Sequence, residues 1–472
     1  DLAPVGRIFE LLPEGQRAAI PTPGEPVEPA TPPVADFRLD NGLRVLVVEK
    51  EGLPLVSARL NFDAGSGDEA EGQAGVAAMT AALLTQGTTS LSAPQIATEI
   101  EQLGASIGAG SGPDFTNVYA NAPANVFPQT VALMADLVRN PAFASEELDR
   151  QRSQTLDGLR VALATPGPVA SQAAARVIYG DAPYGAPGSG TLTTIPAITR
   201  DDVVAFHQRR YRPSEATLVF SGDINESGAR ALAQSAFGDW RETGPVDARA
   251  APIGAPLPPR VVVIDQPGAG QAAVTVALRG ISRTDEDYFP LTLGNTLLGG
   301  SFTSRLNQEI RIKRGLSYGT RSSLGVRRED GLFTASAQTR NDAAVEVSDL
   351  ILAELTRLAT TQPTDSEMTT RQAILTGAFG SSLETVDGLG SLVANLALYD
   401  LPMSELSAYA GRVRALTPEQ VQAAFAEHLP TDRASLVIVG DASTFIEALR
   451  AKHPNVEVIP LTELNLDTAA LK

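Results

Sequence analysis

The densest group of residues able to do chemistry is LLGGSFTSRLNQEIRIKRGLSYGTRSS, residues 297–323, where glycines, hydroxyls, arginines and a tyrosine crowd together. Phosphate cradling needs G-x-x-x-x-G-K-[ST], or G-x-G-x-x-G after a strand, and neither occurs. Serine hydrolysis needs a histidine to take the proton. The chain holds three, His207, His428 and His453, and they read as core or surface residues. No two lie within four positions of each other and there is no cysteine, so no helix can present an imidazole pair to one metal ion. What remains is a small-residue turn, Gly299-Gly300-Ser301, leading into a helix that carries Arg311, Lys313 and Arg314 in its last turn. Gly315 is expected to stop that helix and Tyr318 to open a strand. Dipole compensation accounts for Lys313 and Arg314. On composition alone it accounts for Arg311 as well, since cations are common at helix ends.

A second stretch is notable for the opposite reason. GVAAMTAALLTQGT, from Gly75 to Thr88, reads as a helix of small apolar residues closed by Gly-Thr. It contains nothing that could bind a metal, take a proton or attack a carbonyl.

The elements that must position these stretches repeat along the chain. FRLDNGLRVLVVEK alternates around the hairpin signal Asn41-Gly42. A strand-like LVSARLNFDAG follows it, ahead of the alanine helix. Amphipathic helices are expected over 93–104, 127–139 and 145–164, and a strand over 112–122. On the 145–164 helix Glu147 and Asp157 read, in isolation, as a solvated face. AITRDDVVAFHQRRYRPSEATLVFSGDI from Ala197 then aligns without a gap to ALTPEQVQAAFAEHLPTDRASLVIVGDA from Ala415. Thr199 and Thr417 stand as N-caps, and each helix is followed by an apolar strand ending Gly-Asp. Self-similarity at half the chain length indicates a duplicated domain. The expected division is an arm over 1–34, a first domain over 35–243, a linker over 244–259 and a second domain over 260–472. Antiparallel-looking strands mixed with paired helices make each domain α+β.

Length and charge exclude other classes. At 472 residues one core is not enough. A net charge of −18 argues against nucleic acid or an anionic membrane as partner. No apolar run reaches the length of a membrane span. PTPGEPVEPATPP, residues 21–33, reads as an extended semi-rigid arm. The non-Met start, this arm and the missing cysteines together give a bacterial periplasmic protein after signal removal as the expectation for compartment.

Over nearly everything after the arm the chain resembles the pitrilysin or insulinase-type (inverzincin) zinc metallopeptidases, above all their half-length, processing-peptidase-like subfamily. The family's first-domain helix reads G-x-A-H-F-L-E-H-M-x-F-x-G-T, and GVAAMTAALLTQGT superimposes on it without a gap. Ala78 and Ala82 fall where the two zinc-binding histidines stand, and Ala81 where the catalytic glutamate stands. RQRSQTLDG places Asp157 at the third-ligand position, a glutamate in the family. In LLGGSFTSRLNQEIRIKRGLSYG, Arg311 and Tyr318 match the family's substrate-binding arginine and tyrosine, seven residues apart.

The resemblance implies two similar α+β domains forming half of a clam-shell. The inverted motif needs two histidines to hold zinc and a glutamate to activate its water. Three alanines remove both, so no metal or other cofactor is expected in this chain and it should not hydrolyse peptides alone. The intact Arg/Tyr pair implies instead a subunit of a heterodimer. A homologous partner would carry the zinc, while Arg311 and Tyr318 reach its site in trans and hydrogen-bond the scissile region. Gly299, Gly300, Ser301, Phe302 and Thr303, with nearby strands, would receive peptide as an added strand. The alternative is a catalytically inactive pseudoenzyme, either a scaffold or a peptide-binding homodimer. Pure scaffolding has no need of the pair.

Overall fold

The structure, a computed structural model, describes residues 29–242 and 252–472. Most of the arm and the first part of the linker therefore lie outside the described residues. The first half contributes β1 (Val34–Arg38), β2 (Arg44–Glu49), β3 (Leu55–Phe62), β4 (Ser106–Ser111), β5 (Thr116–Pro123) and β6 (Ala216–Gly222). Its helices are α1 (Val76–Leu83), α2 (Ala93–Gln102), α3 (Phe127–Arg139), α4 (Ser145–Leu163), α5 (Pro166–Tyr179), α6 (Thr194–Ala197), α7 (Arg200–Arg210) and α8 (Glu226–Phe237). The second half has β7 (Val261–Asp265), β8 (Ala272–Arg279), β9 (Thr320–Gly325), β10 (Leu332–Thr339), β11 (Ser435–Gly440) and β12 (Glu457–Pro460). With these go α9 (Tyr288–Leu298), α10 (Ala344–Thr360), α11 (Asp365–Glu384), α12 (Val386–Leu398), α13 (Glu405–Ala415), α14 (Pro418–His428) and α15 (Ile446–Lys452).

Each half builds one six-stranded sheet, in the orders β1-β2-β6-β3-β5-β4 and β12-β7-β11-β8-β10-β9. The orders superimpose strand for strand except at one edge. There the first sheet ends on the amino-terminal β1, antiparallel to β2, and the second on the carboxy-terminal β12, parallel to β7. The sheets are mostly antiparallel, as α+β requires, but β2 and β6 pair in parallel, as do β7 and β11. The duplication is also visible in the caps. Thr199 and Asp202 form a capping box on α7, and Thr417 and Gln420 form the same box on α14.

The halves exchange a helix. Pro166, at the first position of α5, ends the α4 run and starts a new direction after the Thr165 N-cap. The apolar side of α5, including Val169, Ala173 and Val177, then buries against Val262, Ile264, Val437 and Val439 of the second sheet. Reciprocally, Thr385 caps α12, and Leu389, Val393 and Ala397 bury against Leu46, Val48 and Val219 of the first sheet. Each fully buried Val or Leu in these seams contributes roughly 1.5–3 kcal/mol, so the two halves stabilise each other. Each exchanged helix covers the two central strands of the other half's sheet, α12 on β6 and β3 and α5 on β11 and β8, and leaves the β5-β4 or β10-β9 side more open. Among the described residues no helix is long and apolar enough to cross a membrane.

Candidate functional site

The alanine helix α1 is set by backbone contacts before it. Gly75 adopts φ 97°, and a Cβ there would lie 2.7 Å from Ile195 and 2.9 Å from the backbone of Gly190. Only glycine fits that approach. The Glu69 carboxylate accepts hydrogen bonds from the Gly75 and Ala77 N–H groups, at 3.1 and 2.8 Å, and so caps the helix. Burial pushes the Glu69 carboxyl up to about 8, against the pull of those two donors. α1 then packs within its own half, on α4, α7 and β4. Ala81 is buried, Ala78 and Ala82 are half-buried, and all three present methyl groups.

Asp157 on α4 is exposed and forms an ion pair with Arg160 at 2.6 Å. Glu147 with Arg150, and Asp149 with Arg152, pair in the same way one turn apart, as on a solvated helix face. Methyl groups donate no lone pair, and Asp157 is held by a cation, so the residues at the zinc-motif positions do not fit a zinc ion. Elsewhere, His207 is half-buried with its Nε2 2.7 Å from the Val138 carbonyl oxygen, and desolvation of its ring lowers its pKa to about 4. His428 meets Asp287 at 2.9 Å, where α14 ends and α9 begins. With Asp285 these form the one group of three donors within a single ion's reach among the described residues.

The 297–323 stretch folds around one buried amide. Asn307 donates from Nδ2 to the Thr320 and Ser301 carbonyl oxygens, at 3.0 and 3.2 Å, and accepts from the Thr320 N–H at 3.0 Å. It thereby takes up the backbone groups at the start of the edge strand β9, as a neighbouring strand would. Next to it Gly299 presses on β9, where a Cβ would lie 2.3 Å from the Ser322 nitrogen. Thr303 is held from the other side by Arg371, at 3.0 Å to Oγ1 and 2.6 Å to the carbonyl. Of the turn, Gly300, Phe302 and Thr303 remain exposed, and Ser301 is half-buried.

Residues Asn307–Ile312 form a π-helix, with the Lys313 N–H reaching back to the Gln308 carbonyl at 3.0 Å. The wide turn separates three cations. Lys313 and Arg314, the latter at 2.7 Å, both pair with Glu309, whose carboxyl they hold below its ordinary range. The expectation of charge balance at the helix end holds for those two. Arg311 does not join them. Its guanidinium lies 4.5 Å from the Phe302 ring centre and 5.0 Å from that of Tyr318. Phe302 is 64% and Tyr318 90% exposed. Tyr318 does not open the strand, which begins at Thr320. A turn intervenes, in which Ser317 Oγ donates to the Gly319 carbonyl and accepts its N–H. The turn releases the Tyr318 ring from the sheet.

Gly315–Gly319 reads GLSYG, the G-x-S-x-G spacing of a nucleophile elbow. Here it runs from helix to strand, the reverse of an elbow, and the Ser317 hydroxyl is taken by Gly319. Sequence reasoning also missed Glu69 and Asn307. Both act on backbone groups distant in the pattern, and neither has a periodic signal.

Beside Tyr318 the outer face of the second sheet and the first two turns of α5 enclose a groove of about 740 Å³. Its floor is Thr275, Ser336 and Arg321 in one cross-strand row, with Thr334 and Ser323 in the next.

The chain matches two family models: "Insulinase (Peptidase family M16)" over residues 44–191 and "Peptidase M16 inactive domain" over residues 197–375. An uncharacterized zinc protease of Streptomyces coelicolor is 28% identical over 415 residues, covering 85% of this chain and 88% of the relative. The crystal structure of a peptidase M16 inactive domain from Pseudomonas fluorescens superimposes with TM-score 0.79 at 31% identity, over 86% of this chain and 98% of that one. The periplasmic protease PqqL from Escherichia coli shares the fold with TM-score 0.71 at 19% identity, over 93% of this chain and 51% of its own.

Proposed function

The chain belongs to the M16 peptidase family, and we propose that within it this chain is the zinc-less, substrate-binding subunit of a two-chain metalloendopeptidase. One observation carries the reading. Of three cations at the end of the π-helix, two are spent on Glu309, while the Arg311 side chain lies between two exposed rings and makes no ion pair or hydrogen bond among the described residues. A planar guanidinium with its N–H groups unspent, beside a phenol, is a donor pair for a peptide carbonyl as it gains negative charge.

The role of each group follows from its place. Arg311 and Tyr318 bind and orient the scissile region. Gly300, Ser301 and Phe302 form the exposed shelf before them, with Gly299 and Thr303 fixing its ends. A homologous zinc-motif partner holds the metal and the general base, since this chain's own motif positions cannot. This chain covers 51% of PqqL, which leaves length for a second such half in one chain. A bacterial periplasmic setting is part of the proposal.

The test is to purify the chain and a zinc-motif homologue encoded beside it, and to assay each alone and both mixed on an unstructured peptide. Co-elution on size exclusion, with chelator-sensitive activity that needs the mixture, supports the subunit. No co-elution and no gain on mixing points to a scaffold or a peptide-binding homodimer.

A further inference from the structure

We propose that the groove beside Tyr318 selects peptide segments carrying acidic side chains, with Arg321 as the specificity-determining residue. The inference rests on the reading above only in taking peptide as the ligand.

The chain carries 55 Asp and Glu against 37 Lys and Arg, so an average surface would repel acidic ligands. The groove is not average. No carboxylate lines it, and its lining is mainly glycine, alanine, hydroxyls and amides. Its one formal charge is Arg321, exposed on β9, which has no hydrogen-bond or ion-pair partner among the described residues. The first two turns of α5 supply the opposite wall through Gly167 and Ser171, and that helix end adds partial positive charge of the same sign. Arg311 stands beyond Tyr318 at the rim. At physiological salt the screening length is about 8 Å, so the local lining, not the distant acidic surface, sets the potential a bound side chain meets.

Geometry gives the mode. The edge of β9 is occupied at Thr320 by Asn307 and at Ser322 by Gly299, so strand addition there is blocked at its first residues. The open surface is the sheet face. Rows of short hydroxyl side chains leave room for an extended segment to lie across the strands. The Ser336–Arg321 cross-strand pair puts the guanidinium at the strand edge of that floor. About 740 Å³ is within the range of sites that hold a short ligand segment.

The experiment measures fluorescence anisotropy of three labelled decapeptides that differ only in two central residues, Glu, Gln or Lys, against the full chain. The expected order is Glu over Gln over Lys, with Glu and Lys differing by about fivefold or more, the size of a partly screened charge pair. Arg321→Glu is expected to invert the order. Arg433→Glu, an equal charge change in the turn before β11 and outside the groove lining, is expected to leave it. Equal binding of all three peptides, or an order unmoved by Arg321→Glu, overturns the groove assignment and leaves the subunit reading standing. Failure of every peptide to bind, with activity on mixing also absent, overturns both.

Discussion

The Arg311 guanidinium stacks 5.0 Å from the Tyr318 ring centre, across seven residues of chain that include a π-helical turn and a glycine stop. Neither side chain is needed to hold the fold there: Tyr318 is 90% exposed, and the nearby carboxylate Glu309 is already shared by Lys313 and Arg314. A pair placed together in this way suits the ligand-binding role proposed for it.

The first prediction separates ring from hydroxyl. Tyr318→Phe keeps the shelf for Arg311 and removes one donor, whereas Tyr318→Ala removes both. Each variant should melt within a few tenths of a kcal/mol of the parent, as surface substitutions do. In the mixed peptidase, Tyr318→Phe is expected to lower kcat by about 100-fold, the usual cost of one oxyanion donor. Tyr318→Ala should in addition raise KM. Steady-state kinetics on one peptide decides it, and an unchanged kcat for Tyr318→Phe rules out the donor role.

Asn307 gives the second. Its amide makes three bonds to backbone in a buried site, so Asn307→Ala leaves the Thr320 N–H and carbonyl without partners. A loss of roughly 2–3 kcal/mol is expected in urea unfolding. Asn307→Asp keeps the acceptor but sets a buried carboxylate against the Thr320 and Ser301 carbonyl oxygens, and should be no more stable than Asn307→Ala. Equal stability of Asn307→Ala and parent would show that water replaces the amide at no cost.

The third concerns pH. Glu69 is raised from 4.5 to about 8 in the folded chain by burial. Between those values the native state holds a proton that the unfolded state has released. Its contribution is therefore full below about pH 4.5 and lost as pH rises through about 8. Relative to Glu69→Gln, whose amide oxygen can still accept from Gly75 and Ala77, the parent should lose stability steadily from pH 5 to pH 8. A stability difference that is flat, or rises with pH, contradicts a protonated Glu69.

Restoring the motif is the fourth. Ala81 is 1% exposed, so a glutamate there enters packed space, and Asp157 is engaged with Arg160. The combination Ala78→His, Ala81→Glu and Ala82→His is expected to lower the melting temperature. Inserting bulk into such a site commonly costs about 1–3 kcal/mol. It should bind no stoichiometric zinc by elemental mass spectrometry unless Asp157→Glu and Arg160→Ala are added. Full zinc occupancy in the triple variant would show that α1 needs no further change.

Much of this was legible in the sequence because it is local. The capping boxes at Thr199 and Thr417, the span 127–139 and the Asn41-Gly42 hairpin all depend on residues within a few positions. β4 was not expected: in SIGAGS the alternation rests on Ile107 and Ala109 alone, between glycines and serines that do not favour strand, because it is an edge strand with little to bury. The parallel pairings and the α5/α12 exchange are long-range choices, and a helical apolar stripe does not say which sheet it will cover. Tyr318 was read as the first strand residue because the Ser317–Gly319 turn that frees it is a side-chain hydrogen bond. At the site, the alanines and the Arg/Tyr spacing could be read off the chain. That two of three cations spend themselves on Glu309 could not.

The most direct measurement is the activity of the mixed complex with Arg311→Ala in this chain and the zinc-motif partner unchanged. Size exclusion should show the complex formed as before, because the Arg311 side chain makes no ion pair or hydrogen bond among the described residues. Peptidase kcat should fall by about 100-fold or more, the loss expected when a charged transition-state donor is removed in trans. Full activity from a complex that forms normally would contradict the account.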